Sequence, residues 1–199
     1  MQTPIDRALD AQYTKRWTMV GADMDNNVAT HSFNVALIAM DIRKRMSYDR
    51  AVTEMELCYF AVIHDIKEVY TGDIPTPTKM KMRASGFDPD TFDPDIPEEK
   101  QPSPDAASIL KAADLIDNYV FIFGHGTGTR ARTVAAEASR RLGEYLDAAH
   151  PDLRQAAAAT LDYVMERKSE HIEERERFAQ NRQRLDCTRR FTENIRIVD

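Results

Sequence analysis

The chain has 199 residues, 42% of them hydrophobic, a length and apolar content that suit one domain with a proper core. Its seven glycines are about half the usual share of ~7%, which excludes a collagen-like chain and argues against an all-β design with many glycine-dependent turns. A net charge of −6, from 27 Lys and Arg against 33 Asp and Glu, speaks against a diffuse basic face for nucleic acid.

Two cysteines, Cys58 and Cys187, supply neither a disulfide framework nor a thiolate zinc site and fit a reducing compartment. The start, Met1-Gln2-Thr3-Pro4, lacks a basic stretch followed by an apolar run, and no apolar run approaches the ~18 residues of a membrane span. The expectation is a cytoplasmic, largely helical protein.

In chain order, Val28, Val35, Ile38 and Ile42 follow helical spacing from Val28 to about Arg45, and His31 falls on the same stripe. Thr53 is a natural N-cap with Glu56 as its capping-box partner. The helix it opens carries Leu57, Phe60, Ala61, His64 and Glu68 on one face and is expected to stop near Thr71-Gly72. Ile74 to Pro104 holds most of the nine prolines, shows no sustained periodicity and reads as a long loop, a lid or a disordered segment. Ser103-Pro104 then opens a helix through Ile109, Ala113, Ile116 and Val120, with Asp114 at the edge of its apolar face.

Gly124-His125-Gly126-Thr127-Gly128 leads out of that helix and lacks the Gly-Lys-Thr/Ser ending of a phosphate cradle, so it reads as a simple loop. Helices over about Thr129 to Ala149 and about Pro151 to Leu185 follow. Mixed charges between Glu166 and Arg190 suit a solvated or partner-facing surface.

Taken singly, His31, the His64-Asp65 pair and Asp114 each have a bland explanation as a satisfied core histidine, a chance dipeptide and a surface acid. Together they place a His or Asp on the inward face of three different helices. Burying them unpartnered costs several kcal/mol, and a shared cation removes that cost. Two imidazoles and two carboxylates suit a first-row divalent ion with positions left open for chemistry. On a continuous helix His64 and Asp65 point about 100° apart, so a shared ion has to sit against the helix flank. Glu68, one turn after His64, is then placed to orient a water nucleophile.

The order His31, His64-Asp65, Asp114 resembles the H…HD…D signature of the HD-domain metal-dependent phosphohydrolases. The flanking text is more specific: Asn27-Val28-Ala29-Thr30-His31-Ser32, then His64-Asp65-Ile66-Lys67-Glu68-Val69-Tyr70-Thr71-Gly72-Asp73-Ile74-Pro75-Thr76-Pro77-Thr78-Lys79, then Lys111-Ala112-Ala113-Asp114. Over roughly the first 125 residues it resembles the bacterial HD-domain 5′-deoxynucleotidases and the related phage dATP triphosphohydrolases.

The resemblance implies an all-α HD-domain helical bundle, with residues 1–199 as one HD domain, a motif-bearing core at about 12–125 and C-terminal helices at about 129–190. It implies that His31, His64, Asp65 and Asp114 ligate one divalent metal ion, with Co, Mn, Zn, Fe, Ni and Mg not distinguished. Glu68 would position or deprotonate the attacking water, and Asp73 would act on the leaving oxygen or read the sugar 3′-hydroxyl. Arg16 and Trp17 match a pair that contacts phosphate and packs on deoxyribose, while Thr76, Pro77, Thr78 and Lys79 match a substrate-contacting turn. Two departures stand out. The segment between Lys79 and Asp114 is shorter and richer in Pro and Asp than in the deoxynucleotidases, and Ile66 replaces a small residue after the HD pair.

The implied reaction is most simply hydrolysis of a deoxynucleoside 5′-monophosphate to deoxynucleoside and phosphate. The alternative is attack on the α-phosphorus of a deoxynucleoside triphosphate, releasing triphosphate. A reading of another class is a non-catalytic HD-type nucleotide sensor, against which Glu68 and Asp73 count. The implied partners are a small deoxynucleotide and further copies of the chain in a homo-oligomer, with no nucleic acid and no membrane.

Overall fold

A computed structural model describes residues 4–47, 52–89 and 101–170. The described residues form helices joined by turns, with only two isolated bridges, Lys15 to Asn27 and Ala22 to Gly126. The all-α expectation holds. The helices are α1 (Pro4–Asp10), α2 (Val28–Arg45), α3 (Glu54–Ile63), α4 (Glu68–Thr71), α5 (Thr76–Ala84), α6 (Pro104–His125) and α7 (Gly128–Ala148), with a 3-10 turn at Ala11–Tyr13 after α1. The chain divides into two compact units, Met1–Leu161 and Asp162–Asp199.

In the first unit α6 packs against both α2 and α7, and α2 packs against α3. Ala39 and Ile42 of α2, Leu57 and Ala61 of α3, and Ile109, Ala113 and Ile116 of α6 are all fully buried in this packing. Buried alanines on each of these helices leave room for neighbouring helices to pack closely. Residues 151–161 are helical and bury Leu153, Ala156 and Ala157, and the Thr160 hydroxyl donates to Asp41. In the second unit, residues 162–170 are helical and Arg167 pairs with Glu170. The part of the expected last helix beyond residue 170, and residues 90–100 of the expected loop, lie outside the described residues.

The helix starts follow the sequence. The side chains of Asn27, Thr53 and Ser103 accept from the backbone N–H groups of Thr30, Glu56 and Ala106. The expected capping box is only half made, because the Glu56 carboxylate accepts from the Ser103 N–H at 2.8 Å instead. It thereby ties α3 to the start of α6.

Two expectations are corrected. The helix expected to run unbroken to Thr71-Gly72 stops at Ile63, and α4 begins only at Glu68. Between them the chain tightens into i to i+3 bonds, Ile63 to Ile66 at 3.1 Å and Asp65 to Glu68 at 2.9 Å. Ile66 is buried at this break, so the bulk that follows the HD pair is absorbed by the core. The segment expected to be loop from Ile74 opens with a helix, α5, whose proline at the first turn costs nothing there and whose Lys, Met and Arg residues favour a helix.

The turn after α6 clamps the loop between Tyr13 and Val28. Thr127 N–H donates to Gly21 O at 2.8 Å and Asp23 N–H to His125 O at 2.9 Å. A Cβ on Gly126 would lie 2.4 Å from the Ile122 carbonyl oxygen and 2.9 Å from Ala131 Cβ. Gly126→Ala is therefore expected to destabilise the fold by about 1–3 kcal/mol through overpacking, read as a lower urea midpoint with an unchanged m-value. Gly124 to Gly128 do not line the cleft described below, and the loop expected there shrinks to Gly126-Thr127, since Gly124 and His125 end α6 and Gly128 begins α7.

Candidate metal centre and its cleft

Three segments bring titratable side chains to one point. His31 comes from the buried face of α2, His64 and Asp65 from the break after α3, and Asp114 from α6. His31 is 0% exposed. Its Nε2 lies 3.3 Å from His64 Nε2, 3.5 Å from Asp65 Oδ2 and 3.4 Å from Asp114 Oδ1, and His64 Nε2 is 3.4 Å from Asp65 Oδ2. His31, His64 and Asp65 gather ligand atoms within 4.8 Å of one another. Asp114 stands slightly back, its carboxylate held by Lys111 at 2.7 Å and by Asn118 at 2.6 Å.

The break in the helix is what allows adjacent residues to converge. A continuous helix would splay His64 and Asp65 apart, whereas the turn carries both toward His31.

The donor set fits a divalent cation. His64 Nδ1 lies 2.7 Å from the Ala61 carbonyl oxygen, which can only accept, so that nitrogen carries the proton. His31 Nδ1 lies 2.6 Å from Asp117 Oδ2 and is protonated for the same reason. In the neutral rings both Nε2 atoms then present lone pairs to each other at 3.3 Å beside a carboxylate. That arrangement is repulsive unless a cation or a proton lies between them.

The charges respond as a cluster of this kind requires. Burial and the Arg16 charge oppose protonation of His31, yet the Asp114 and Asp117 carboxylates lift it to about 9. Burial raises the Asp65 carboxyl, but His64, Arg16 and His31 bring it down to about 2. Asp114, although desolvated, is held well below the usual carboxylate range by His31 and Lys111.

Glu68 is the outlier. It is 3% exposed, and burial together with the Asp65 charge pushes it up to about 7 against the pull of Arg16 and Lys79. Lys79 donates to its Oε1 at 2.8 Å, while its Oε2 accepts no hydrogen bond and has Arg16 Nη1 at 3.7 Å.

Arg16 and Trp17 sit on the clamped loop. Arg16 donates to Asp65 at 2.6 Å and to Asn118 at 2.9 Å, so its guanidinium joins the HD pair to α6. Trp17 is the one described non-glycine residue with positive φ, 61°, a costly conformation for a bulky side chain. It is held by its N–H on Asp73 Oδ2 at 3.2 Å and by stacking on Phe121 at 5.8 Å.

Arg16, Trp17, His64, Asp65, Glu68, Asp73 and Asp114 border a cleft of about 1760 Å³, with His31 buried behind them. Thr76, Pro77 and Lys79 line it, while Thr78 is exposed and does not. Sequence reasoning missed Asn34, Asp117 and Asn118. The last two follow Asp114 at helical spacing, which is the signal that could have found them.

Histidines and aspartates from separate helices closing on one point in an all-helical fold define the HD-domain class. Comparisons with known proteins agree. A family described as 5′-deoxynucleotidase YfbR-like matches residues 8–85. A dATP triphosphohydrolase of Salmonella phage PMBT28 is 34% identical over 166 residues, 79% of this chain and 84% of that protein. A 5′-deoxynucleotidase of Vibrio atlanticus is 29% identical over 87 residues, 43% of this chain and 39% of that one. The fold is shared with the cyanophage S-2L HD phosphohydrolase DatZ, solved with dA and one catalytic Zn2+, at a TM-score of 0.69 and 23% identity over 84% of this chain and 99% of that one. The chain belongs to the HD-domain phosphohydrolases, in the family of the phage dATP triphosphohydrolases, with a YfbR-like segment at residues 8–85.

No helix among the described residues is long and apolar enough to cross a membrane.

Proposed function

We propose that the protein hydrolyses deoxynucleoside triphosphates at the α-phosphorus, releasing deoxynucleoside and triphosphate, with His31, His64, Asp65 and Asp114 holding one divalent metal ion. The observation that carries this reading is the number of basic side chains along the cleft, Lys79 and Arg83 from α5, Lys111 from α6, and Arg130, Arg140 and Arg141 from α7, which with Arg16 and Lys67 make eight cations against six carboxylates in the lining. A triphosphate carries roughly twice the charge of a monophosphate and needs this many cations along its length. The extent of similarity leans the same way, since two phage triphosphohydrolases are matched over 84% and 73% of their length and two Vibrio deoxynucleotidases over 66% and 39%.

Held by His31, His64, Asp65 and Asp114, a divalent cation would supply Lewis-acid stabilisation of the charge that gathers on the phosphate. The chain's own groups do the rest. Lys79 fixes Glu68 by Oε1, leaving Oε2 to take a proton from the attacking water. Water oxygen bonds to the α-phosphorus as the bond to the 5′-oxygen breaks, and that oxygen takes up a proton from solvent or by way of Asp73, whose other role in this reading is to meet the 3′-hydroxyl. Arg16 neutralises Asp65 and Glu68 and faces the phosphate, Trp17 packs on the sugar, and Thr76, Pro77 and Lys79 at the start of α5 meet the substrate, whereas Thr78, which points away from the cleft, drops out of that set. A non-catalytic sensor has no use for a buried Glu68 with one free oxygen.

The test is incubation with dATP and with dAMP under Mn, Co, Zn and Mg, followed by identification of the products. Triphosphate plus deoxyadenosine from dATP is expected. Orthophosphate from dAMP, with dATP untouched, would move the assignment to 5′-deoxynucleotidase, and no product with any metal would overturn both.

The α7 arginines provide a finer check. Arg141 lines the cleft and its Nη1 lies 3.4 Å from Thr76 Oγ1. Arg141→Ala is expected to raise KM for dATP by about 5- to 30-fold, the loss of one charge-assisted contact, with little change in KM for dAMP.

A further inference from the structure

Asp117 lies one turn beyond Asp114 on α6, at a position that continues the apolar stripe of Ala113, Ile116 and Val120, and it is 5% exposed. A helix built only for packing would carry an aliphatic residue there, because a buried carboxylate is retained at a cost unless its partners satisfy it fully. Here they do. Oδ2 lies 2.6 Å from His31 Nδ1, and Oδ1 accepts from Asn34 Nδ2 at 2.9 Å. Both partners come from α2, three residues apart, so one carboxylate grips two adjacent turns of the facing helix.

The two histidines of the centre are treated differently. His64 Nδ1 meets a neutral backbone carbonyl, Ala61 O at 2.7 Å, while His31 Nδ1 meets a carboxylate. A carboxylate partner makes the opposite ring nitrogen the better electron donor and locks the ring plane.

We propose that Asp117 is a positioning residue for the metal centre: it holds His31 with the proton on Nδ1 and the Nε2 lone pair aimed at the point shared with His64 and Asp65, and Asn34 orients Asp117 in turn. This rests on the reading of His31 as a ligand. It makes Asp117 and Asn34 part of the metal machinery although neither reaches the cleft.

Zinc affinity measured by competition with a chromophoric chelator tests it, beside long-range 1H–15N spectra of the zinc-loaded, histidine-labelled protein. In the wild type the His31 signals are expected to show a proton on Nδ1 and coordination through Nε2. Asp117→Asn keeps the shape and an acceptor but removes the charge. It is expected to weaken zinc by about 10- to 100-fold and to shift the His31 Nδ1 proton upfield while the His64 signals stay in place. Asn34→Ala, which touches no ligand, is expected to give a smaller loss in the same direction, and it carries the test if Asp117→Asn fails to fold by circular dichroism. Wild-type zinc affinity in the variant tested, with an unmoved His31 Nδ1 proton, would overturn the proposal, as would a wild-type ring protonated on Nε2. His31→Ala separates the two levels. If it binds zinc as the wild type does, the ligand reading fails; if it loses zinc while Asp117→Asn keeps it, only the role of Asp117 fails.

Discussion

Glu68→Ala is expected to keep its metal and lose its turnover, with kcat reduced by about 10²- to 10⁴-fold, the usual worth of a positioned general base. The metal should stay because none of the close contacts among His31, His64, Asp65 and Asp114 passes through Glu68. The rate should fall because Glu68 Oε2 is the buried oxygen beside that cluster with no hydrogen bond of its own. Metal content by elemental analysis, set against kcat on dATP, reads both halves. Equal turnover in mutant and wild type would remove Glu68 from the reaction.

The pH profile carries the same assignment. Burial and the neighbouring Asp65 raise Glu68 to about 7, and a base works only when unprotonated, so activity is expected to climb with pH and flatten above that region. A bound cation favours the carboxylate and moves the midpoint lower, which places the acid limb at or below about 7. Glu68→Ala should retain residual activity without that limb.

Much of the site was legible because its residues break a pattern. His31 and His64 interrupt apolar stripes of helical period, and the cluster they imply is the one found between α2, the break after α3, and α6. The caps at Thr53 and Ser103 were legible for a local reason, a side chain bonding an N–H three residues on.

What escaped the sequence depends on distant partners. The break at His64 to Lys67 has no Gly or Pro to announce it, and tertiary packing overrides helix propensity there. Glu56 gave up its capping box for Ser103, 47 residues away. Helix α5 was hidden among prolines, although a proline in a first turn is neutral to a helix. Asp117 was hidden in the opposite way, since a lone acid beside an apolar stripe looks like an edge residue until His31 and Asn34 are seen across from it.

Asp65→Asn is expected to abolish metal binding and, with it, the rise in melting temperature that metal gives the wild type. At a metal concentration about 100 times its dissociation constant, that rise corresponds to about 2.7 kcal/mol. The cost to the metal-free protein follows from two opposing effects. Asp65 pairs with the Arg16 guanidinium at 2.6 Å, and that side chain is only 8% exposed. Stripping one partner from a buried ion pair costs about 3–5 kcal/mol when the other is left alone. Arg16 is not left alone, because Asn118 still accepts from Nη2 at 2.9 Å and Glu68 stands 3.7 Å from Nη1. Removing the Asp65 charge also relieves the repulsion that raises Glu68, so Glu68 should ionise more readily and turn to Arg16. Relief and substitution together bring the expected loss to about 1–3 kcal/mol, below that of a fully orphaned charge. Thermal melts of wild type and variant with and without metal separate the terms: the metal-free difference reports the Arg16 pair, and the vanished metal-dependent increment reports the ligand. A variant whose melting temperature still rises with metal as the wild type's does would take Asp65 out of the ligand set.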